Sequence, residues 1–496
     1  MNAMMTGDLE MGDATRRFQP IRRLILTEED SVKFFKEGLK LISEIGIKID
    51  GTDEFNQLLT DFGCEITGGR LKFPKKVLDY TVDRMRAFKE DELKKDHPLS
   101  NKIDWLMSGQ ATYWNVPEDN SLRPGTREDL GSYHRMLDAM DVGRTHPGLL
   151  PQDVNVKTAD IHAFATIAKN SERPWRVSPF SAEAVPYMYR ILETVFRDSE
   201  KAAEVGSEIC YHKLWINSPF SICRETIEGT MVSRELLGHK VRITIMPVSG
   251  ASSPVTPAGA LVQQVAEVVG ANVISLAMDD YICGYVSSTN TFDFTANIHC
   301  QPGPESNIHR MLGRDMGYYM FGTPAKTGIP PTTTAATVGV QSVIEKSIDL
   351  TTAVMCGDRF FGAGGVLSQS DTASPVQMVL DMEIRDYVQH MLNDIDISDQ
   401  AMGLDTIRET APLGAGYLST EHTYDYYKKS VWFPELIDRR TAGSYMRDPH
   451  TMIDRAREKA INLINNSPNK CPLSKSQVTD IDAITTEADR VIGGEK

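Results

Sequence analysis

The residues best placed for chemistry in this sequence lie where apolar segments run out into small-residue loops. The clearest case is Met246-Pro247-Val248-Ser249-Gly250-Ala251-Ser252-Ser253-Pro254-Val255-Thr256-Pro257. Thr256 followed by Pro257 has the form of an N-cap with proline at the first helical position. Backbone N–H groups at such a helix start hold a carboxylate or the polar edge of a cofactor, and an ordinary capped helix fits the same residues equally well. A second case is Phe360-Phe361-Gly362-Ala363-Gly364-Gly365-Val366, whose three glycines permit either close approach of a ligand or a tight turn. Phe180, Phe220, Tyr285, Phe292, Phe294 and Phe361 stand near the ends of apolar segments. An aromatic face that meets a quaternary ammonium contributes roughly 0.5–2 kcal/mol, and core packing is the alternative use of each ring.

Other chemistries lack their residues. The sequence has no H-x-H, no H-E-x-x-H and no C-x-x-C, and its 11 histidines are dispersed, so metal hydrolysis has no ligand set. Neither G-x-x-x-x-G-K-[ST] nor G-x-S-x-G occurs, which removes P-loop nucleotide hydrolysis and elbow-type acyl transfer.

The elements that must position these loops follow a pattern. From about 146 to 366, short apolar strands end in Pro, Ser, Gly or Asn and amphipathic helices follow. Expected strands are 147–151, 174–179, 209–216, 241–247, 281–287, 317–322 and 358–363. Expected helices include 158–170, 183–197, 223–238, 257–276 and 337–356. This alternation predicts a parallel sheet, and seven or eight units in a row fit a closed barrel better than an open doubly wound sheet. No G-x-G-x-x-G supports the dinucleotide version of that rival. The expected fold is thus α/β, a TIM (β/α)8-type barrel over residues 109–374. A helical N-terminal extension covers 1–108, and a helical C-terminal extension packed on the barrel covers 375–496.

Within the N-terminal extension, Thr27 before Glu28, Glu29 and Asp30 predicts a helix start, and residues 27–95 read as helical. Thr126 with Asp129 predicts another start. The tail after 485 is expected to fray.

The chain of 496 residues has a formal net charge of -15, which disfavours nucleic acid. Its seven cysteines are scattered and odd in number, which favours a reducing compartment over a disulfide scaffold. No run approaches 18 consecutive apolar residues and the N-terminus lacks an apolar signal core, so a cytoplasmic protein without a membrane segment is expected.

Several segments, taken in order, resemble the trimethylamine methyltransferase (MttB-like) family of corrinoid-dependent enzymes. They are Pro247 through Ala260, Gln263-Gln264 with Glu267, Gly362-Ala363-Gly364-Gly365, Leu380-Asp381-Met382-Glu383-Ile384 and Leu418-Ser419-Thr420-Glu421-His422-Thr423. The match spans roughly residues 20–480. The resemblance implies a TIM barrel, an amine methyl donor and a cognate corrinoid protein as acceptor, with no cofactor bound tightly by this chain. Archaeal members that use trimethylamine carry pyrrolysine before a helix with Gln and Glu. Here that stretch is Pro324-Ala325-Lys326-Thr327-Gly328-Ile329-Pro330-Pro331-Thr332-Thr333-Thr334, all standard residues, followed by Gln341 and Glu345.

This departure points to the non-pyrrolysine branch, which includes glycine betaine methyltransferases. A quaternary amine leaves as a neutral tertiary amine, whereas an unactivated tertiary amine would have to leave as an amide anion. Glycine betaine is therefore the expected donor, with proline betaine, carnitine, choline or trimethylamine as competing donors. A betaine-binding protein without catalysis is the non-enzymatic alternative. On this reading Glu345 and Gln341 are the catalytic candidates. Phe180, Phe220, Tyr285, Phe361, His299 and Arg310 bind substrate, and Gly250, Thr256, Gly364 and Gly365 face the corrinoid. A homo-oligomer is expected. A lyase or isomerase barrel using Lys326 or Glu345 as base is the unrelated alternative.

Overall fold

A computed structural model describes residues 15–16, 25–95, 102–144, 146–172, 176–323 and 331–494. The first long helix, α1 (Glu28–Ile45), starts where the sequence asks for it. Thr27 accepts from the Asp30 backbone and Asp30 caps Thr27 in return, a complete capping box. α1 ends at Gly46, which has φ 67. Residues 27–95, expected to be helical throughout, then carry a small antiparallel sheet of Ile47–Ile49, Arg70–Lys72 and Glu65–Thr67. Ile47 and Ile49 are buried and Lys48 between them is exposed. That period of two is a strand signal, and it overrides the helical reading.

Downstream, short strands alternate with helices. The path runs through β1 (Asp104–Met107), α2 (Arg127–Ala139), β2 (Gly148–Leu149), β3 (Leu214–Ile216), β4 (Ile243–Ile245), α3 (Pro257–Asp279), α4 (Val340–Met355), β5 (Phe360–Gly364) and α5 (Pro375–His390). Helices Ala159–Asn170, Ala184–Phe196 and Arg224–Leu237 match their expected positions within about two residues. Thr126 closes a second capping box, with Asp129.

The pairings between successive strands are parallel. β5 runs beside β1, and β1 touches Arg144 through Met107. Gln110–Ala111 pairs with β2, β3 with β4, and Ile245 of β4 bridges Ser287. β1 precedes residue 109, so it pairs across the expected boundary of the N-terminal extension. The architecture is mixed α/β, rich in helix, with its strands in several small sheets.

Two expected strands differ from the structure. Residues 317–322 form the end of a helix, Pro304–Phe321. Leu312, Met316 and Met320 are buried at four-residue spacing, and Gly322 closes the helix with φ 72, so the helical period governs the Tyr-Tyr-Met-Phe run. Residues 281–287 are irregular, with Gly284 at φ 80, and join no ladder beyond the Ser287 bridge. Side chains of α3 hold this segment instead. Asn272 donates to the Gly284 carbonyl and accepts from the Gly284 N–H, while Ser275 donates to the Tyr281 carbonyl. The expected strand 174–179 is described only from Arg176, and none of its described residues joins a ladder; Val177 N–H donates to the Ile209 carbonyl at 3.0 Å.

α3 is the central helix. Among the described residues it is the one helix long and apolar enough to cross a membrane, and 89% of its apolar window is buried inside the protein. α1 lies across it so closely that a Cβ on Gly38 would stand 2.6 Å from Val265 Cγ1. The C-terminal region is helical, as expected. Met452–Asn466 packs on α5, and Lys475–Val491, which continues past 485, packs on Ala184–Phe196.

A buried ion pair ties β5 to the helices behind it. Lys346 of α4 donates to Asp381 of α5 at 2.5 Å and to the Ala363 carbonyl at 2.9 Å, and both side chains are fully buried. Gly365 N–H and Gln377 also donate to Asp381. Burial pulls the Lys346 pKa down and pushes that of Asp381 up, and each partner opposes the shift of the other. Removing one partner leaves an uncompensated buried charge. Lys346→Met is therefore expected to cost about 3–5 kcal/mol in urea denaturation. Lys346→Met with Asp381→Leu is expected to recover most of that loss.

Candidate active site

α3 collects the loops that follow β3 and β4. Its Glu267 accepts from Ser218 Oγ at 2.7 Å, from the Phe220 N–H at 3.0 Å and from Gln263 at 3.2 Å. Gln263 also donates to the Ser252 carbonyl at 2.8 Å. Gln264 accepts from Tyr285 Oη and donates to Ser287 Oγ, both at 3.0 Å. One helical turn thus fixes residues 218–220, the loop around 252 and the segment 285–287.

The loop 246–257 also closes on itself. Ser249 Oγ donates to the carbonyls of Pro254 and Val255, and Val248 N–H donates to Ser252 Oγ. Thr256 caps α3 through the Gly259 N–H. Gly250 has φ 93, and a Cβ there would stand 2.8 Å from the Phe294 ring. Val248–Ser249 runs parallel to Asn290–Asp293, which turns back antiparallel into Ile298–Cys300. His299 stands opposite Phe292 in this hairpin and is exposed. Phe292 and Phe294 meet edge to face at 5.3 Å.

Glu345, half-buried on α4, is held by four donors. Thr333 Oγ1 and Thr334 N–H reach one oxygen at 2.5 and 2.8 Å, and Thr334 Oγ1 and Gln341 reach the other at 3.0 and 3.1 Å. Gln341 also donates to Thr334 Oγ1. Gln369 knits this corner to its neighbours, donating from its backbone to the Thr333 carbonyl and accepting from the Gln301 N–H. Ser368, Gln369 and Ser370 have φ of 47, 57 and 86. Three successive non-glycine residues in this region cost roughly 1–3 kcal/mol each, and such strain collects at functional sites.

The expected site residues fall into separate groups. His299 lies in the hairpin of Phe292 and Phe294, and Gly250 packs against the Phe294 ring. Burial, with the negative charge of Glu345 adding to it, pushes the Cys300 thiol of that hairpin up to about 11. Asp349, one turn along α4, is raised to about 6 by burial, with Arg310 opposing and Glu345 adding to the shift. Arg310 is itself buried and donates to Asn307 at 2.6 Å and to the Asp349 carbonyl. Glu345, Gln341 and Arg310 are thus linked through α4 and Asp349, and His299 and Gly250 form a second group at the hairpin.

The others lie elsewhere. Phe220, Tyr285 and Phe361 are buried in the two apolar cores. Phe180 is exposed, and its N–H donates to buried Asp160, whose pKa burial lifts to about 6. The spaces that Cβ atoms on Gly364 and Gly365 would fill are taken by Met378 and, at Gly365, by Tyr133 Oη. Residues 324–330, including Lys326, lie outside the described residues.

One aromatic side chain escaped the sequence reading. Trp215 sits in the middle of β3 with 36% of its surface exposed, beside Thr244 of β4. Leu214 and Ile216 turn into the core, so alternation puts Trp215 on the opposite face. The alternation Lys213, Trp215, Asn217 was visible in the sequence, but the run read as a uniformly apolar strand.

The sequence profile of trimethylamine methyltransferase (MTTB) matches residues 7–485. The chain belongs to the trimethylamine methyltransferase family. It is 23% identical to trimethylamine methyltransferase MttB of Desulfitobacterium hafniense (strain DSM 10664 / DCB-2) over 467 residues, covering 90% of each chain. MttB of Methanosarcina thermophila is 24% identical, covering 92% of this chain and 96% of the relative. A glycine betaine methyltransferase of Desulfitobacterium hafniense (strain Y51) is 21% identical, covering 89% of this chain and 92% of the relative. This family member is accordingly a methyltransferase.

Glu267 gives the site a pH signature. Burial raises its pKa from 4.5 to about 7, against the three donors that favour the anion. An acid with a raised folded-state pKa stabilises the fold below its unfolded value, and that stability is lost as pH rises through the folded value. Stability is therefore expected to decline between about pH 4.5 and 7 by urea denaturation, and Glu267→Gln is expected to flatten that part of the profile. Glu267→Ala, which orphans three donors, is expected to cost about 1–3 kcal/mol or more.

Proposed function

We propose that this methyltransferase takes a methyl group from a small quaternary amine, with glycine betaine as the first choice, and delivers it to the cob(I)alamin of a partner corrinoid protein. The observation that carries the reading is the family match over residues 7–485, which includes relatives named for trimethylamine and for glycine betaine. The substrate choice rests on the residues before Gln341 and Glu345. With no pyrrolysine there, the donor must leave unaided, and a quaternary nitrogen keeps the C–N electron pair as a neutral tertiary amine. The partner's corrinoid supplies the two-electron nucleophile that accepts the methyl.

On this reading the chain binds, orients and excludes water, so positioning and desolvation supply most of the rate. Glu345, fixed by its four donors, is the stationary carboxylate assigned to the transfer step. The successive parallel pairings β5–β1, β1 to Arg144, β3–β4 and β4 to Ser287 support closure as a (β/α)8-type barrel that takes in β1 ahead of the expected start at 109, with extensions on either side. The seven cysteines are free thiols, which suits a reducing cytoplasmic setting.

Residues 395–446 expose Leu413, Leu418, Tyr424, Phe433 and Met446 by 62–95%. We read this apolar stretch as the contact with a second copy of the chain. Light scattering on the purified protein is expected to give a multiple of 55.2 kDa, and a monomer at all concentrations refutes that contact.

The deciding assay mixes the protein with cob(I)alamin and a panel of methylated amines and follows methylcobalamin by absorbance. Methylation from glycine betaine is expected; methylation from trimethylamine alone overturns the substrate choice. Glu345→Gln is expected to lower kcat/KM about tenfold, the equivalent of ~1.4 kcal/mol of transition-state stabilisation.

A further inference from the structure

The face of β3 and β4 turned away from α3 carries a charge pattern that the methyl-donor reading does not use. Leu214 pairs with Ile243, so Lys213 stands next to Arg242 and Trp215 next to Thr244. Leu214, Ile216, Ile243 and Ile245 are buried against the α3 side. Lys213, Trp215, Arg242 and Thr244 share the other face. Two residues along a strand span roughly 6.6 Å, which sets the step from Lys213 to Trp215.

Positive charge accumulates at the Lys213 end. Arg176 lies over the Tyr211 ring at 4.5 Å, and Arg242 lies over the same ring at 5.0 Å. His239 stacks on Tyr211 at 3.9 Å. Arg242 has an acidic partner, the exposed Glu208 at 2.7 Å. Lys213 and Arg176 have no carboxylate within ion-pair distance among the described residues. The Nε and Nη2 atoms of Arg176 are buried and lack hydrogen-bond partners. Burial, with Arg176 and Arg242 adding to it, draws the Lys213 ammonium down to about 7. The same burial and the charges of Arg176 and Lys213 drive the neighbouring His146 to about 3, so it stays neutral. Lys213 and Arg176 are half-buried, and a bound anion offsets the cost of withdrawing cations from water without a counter-charge.

We propose that this face is a zwitterion site, in which Lys213 and Arg176 take a carboxylate and the Trp215 indole takes the quaternary ammonium of the same molecule. It rests on the proposed amine donor and narrows it to carboxylate-bearing quaternary amines. A quaternary amine without a carboxylate meets only repulsion at Lys213 and Arg176. An anion without an ammonium leaves the indole face unused. Of the other candidate readers of a carboxylate, Arg310 bonds Asn307 and the Asp349 carbonyl and Thr256 caps α3, while His299 is exposed on its hairpin.

Calorimetric titration of the full chain with glycine betaine, choline and sodium acetate tests the site. Glycine betaine is expected to bind at least tenfold more tightly than either of the others. Lys213→Met is expected to weaken glycine betaine tenfold or more, to leave choline no weaker, and to raise Tm by removing a half-buried cation that has no carboxylate partner. A lysine with a merely structural role would lower Tm. Lys213→Arg is expected to retain binding, and Trp215→Ala to weaken glycine betaine while the protein still unfolds cooperatively. Equal affinity for glycine betaine and choline, no binding of glycine betaine, or no effect of Lys213→Met overturns the site. Lys213-dependent binding of glycine betaine without methyl transfer to cob(I)alamin leaves the site standing and refutes the methyl-donor reading. Methyl transfer from choline that is insensitive to Lys213→Met does the reverse.

Discussion

A single helix has to be apolar enough to fill the centre of the protein and polar enough to hold its loops. α3 meets both demands by spacing. Gln263, Gln264, Glu267, Asn272 and Ser275 are all buried, and each has hydrogen-bond partners outside or along the helix. Buried polar groups of this kind are tolerated only when satisfied, so each pins the segment that satisfies it. Residues 218–220, 252 and 281–287 take their positions from these bonds. Were α3 purely apolar, the stretch 281–287 would have lost most of what holds it, because it has almost no ladder of its own.

The opposite edge of the strands is held by charge. Lys346 and Asp381 place the glycine-rich end of β5, and the Cβ positions of Gly364 and Gly365 are filled by Met378 and Tyr133. The glycines there serve close packing of β5 against α2 and α5. Between these two anchors lie the elements with freedom to face a ligand: Glu345 with its threonines, the hairpin of Phe292 and Phe294, and the Trp215 face.

Much of the helical skeleton was legible because its signals are local. Thr27 with Asp30, Thr126 with Asp129 and Thr256 with Pro257 start helices where the structure has them. The strands were less legible because their partners are distant. Residues 281–287 look like a strand by composition, yet their bonds go to α3. Residues 317–322 look like a strand in isolation, and only the spacing from Leu312 onward shows a helix. The site was legible in part. Glu345 and Gln341 were marked by the family resemblance and do contact each other, whereas Phe220, Tyr285 and Phe361 were chosen as aromatics near strand ends, where chain position says nothing about facing. Trp215 went unread for the converse reason: its neighbours Leu214 and Ile216 masked its face.

The contact of Gly38 with Val265 also bears on how the chain is made. α3 is a long apolar helix that is hazardous to leave uncovered, and exposed apolar surface in a half-made chain promotes aggregation. Its main cover, α1, lies more than 200 residues upstream in the sequence. A ribosome therefore delivers the lid before the helix it shields. Each new α3 emerges after the helix whose Gly38 leaves room for Val265.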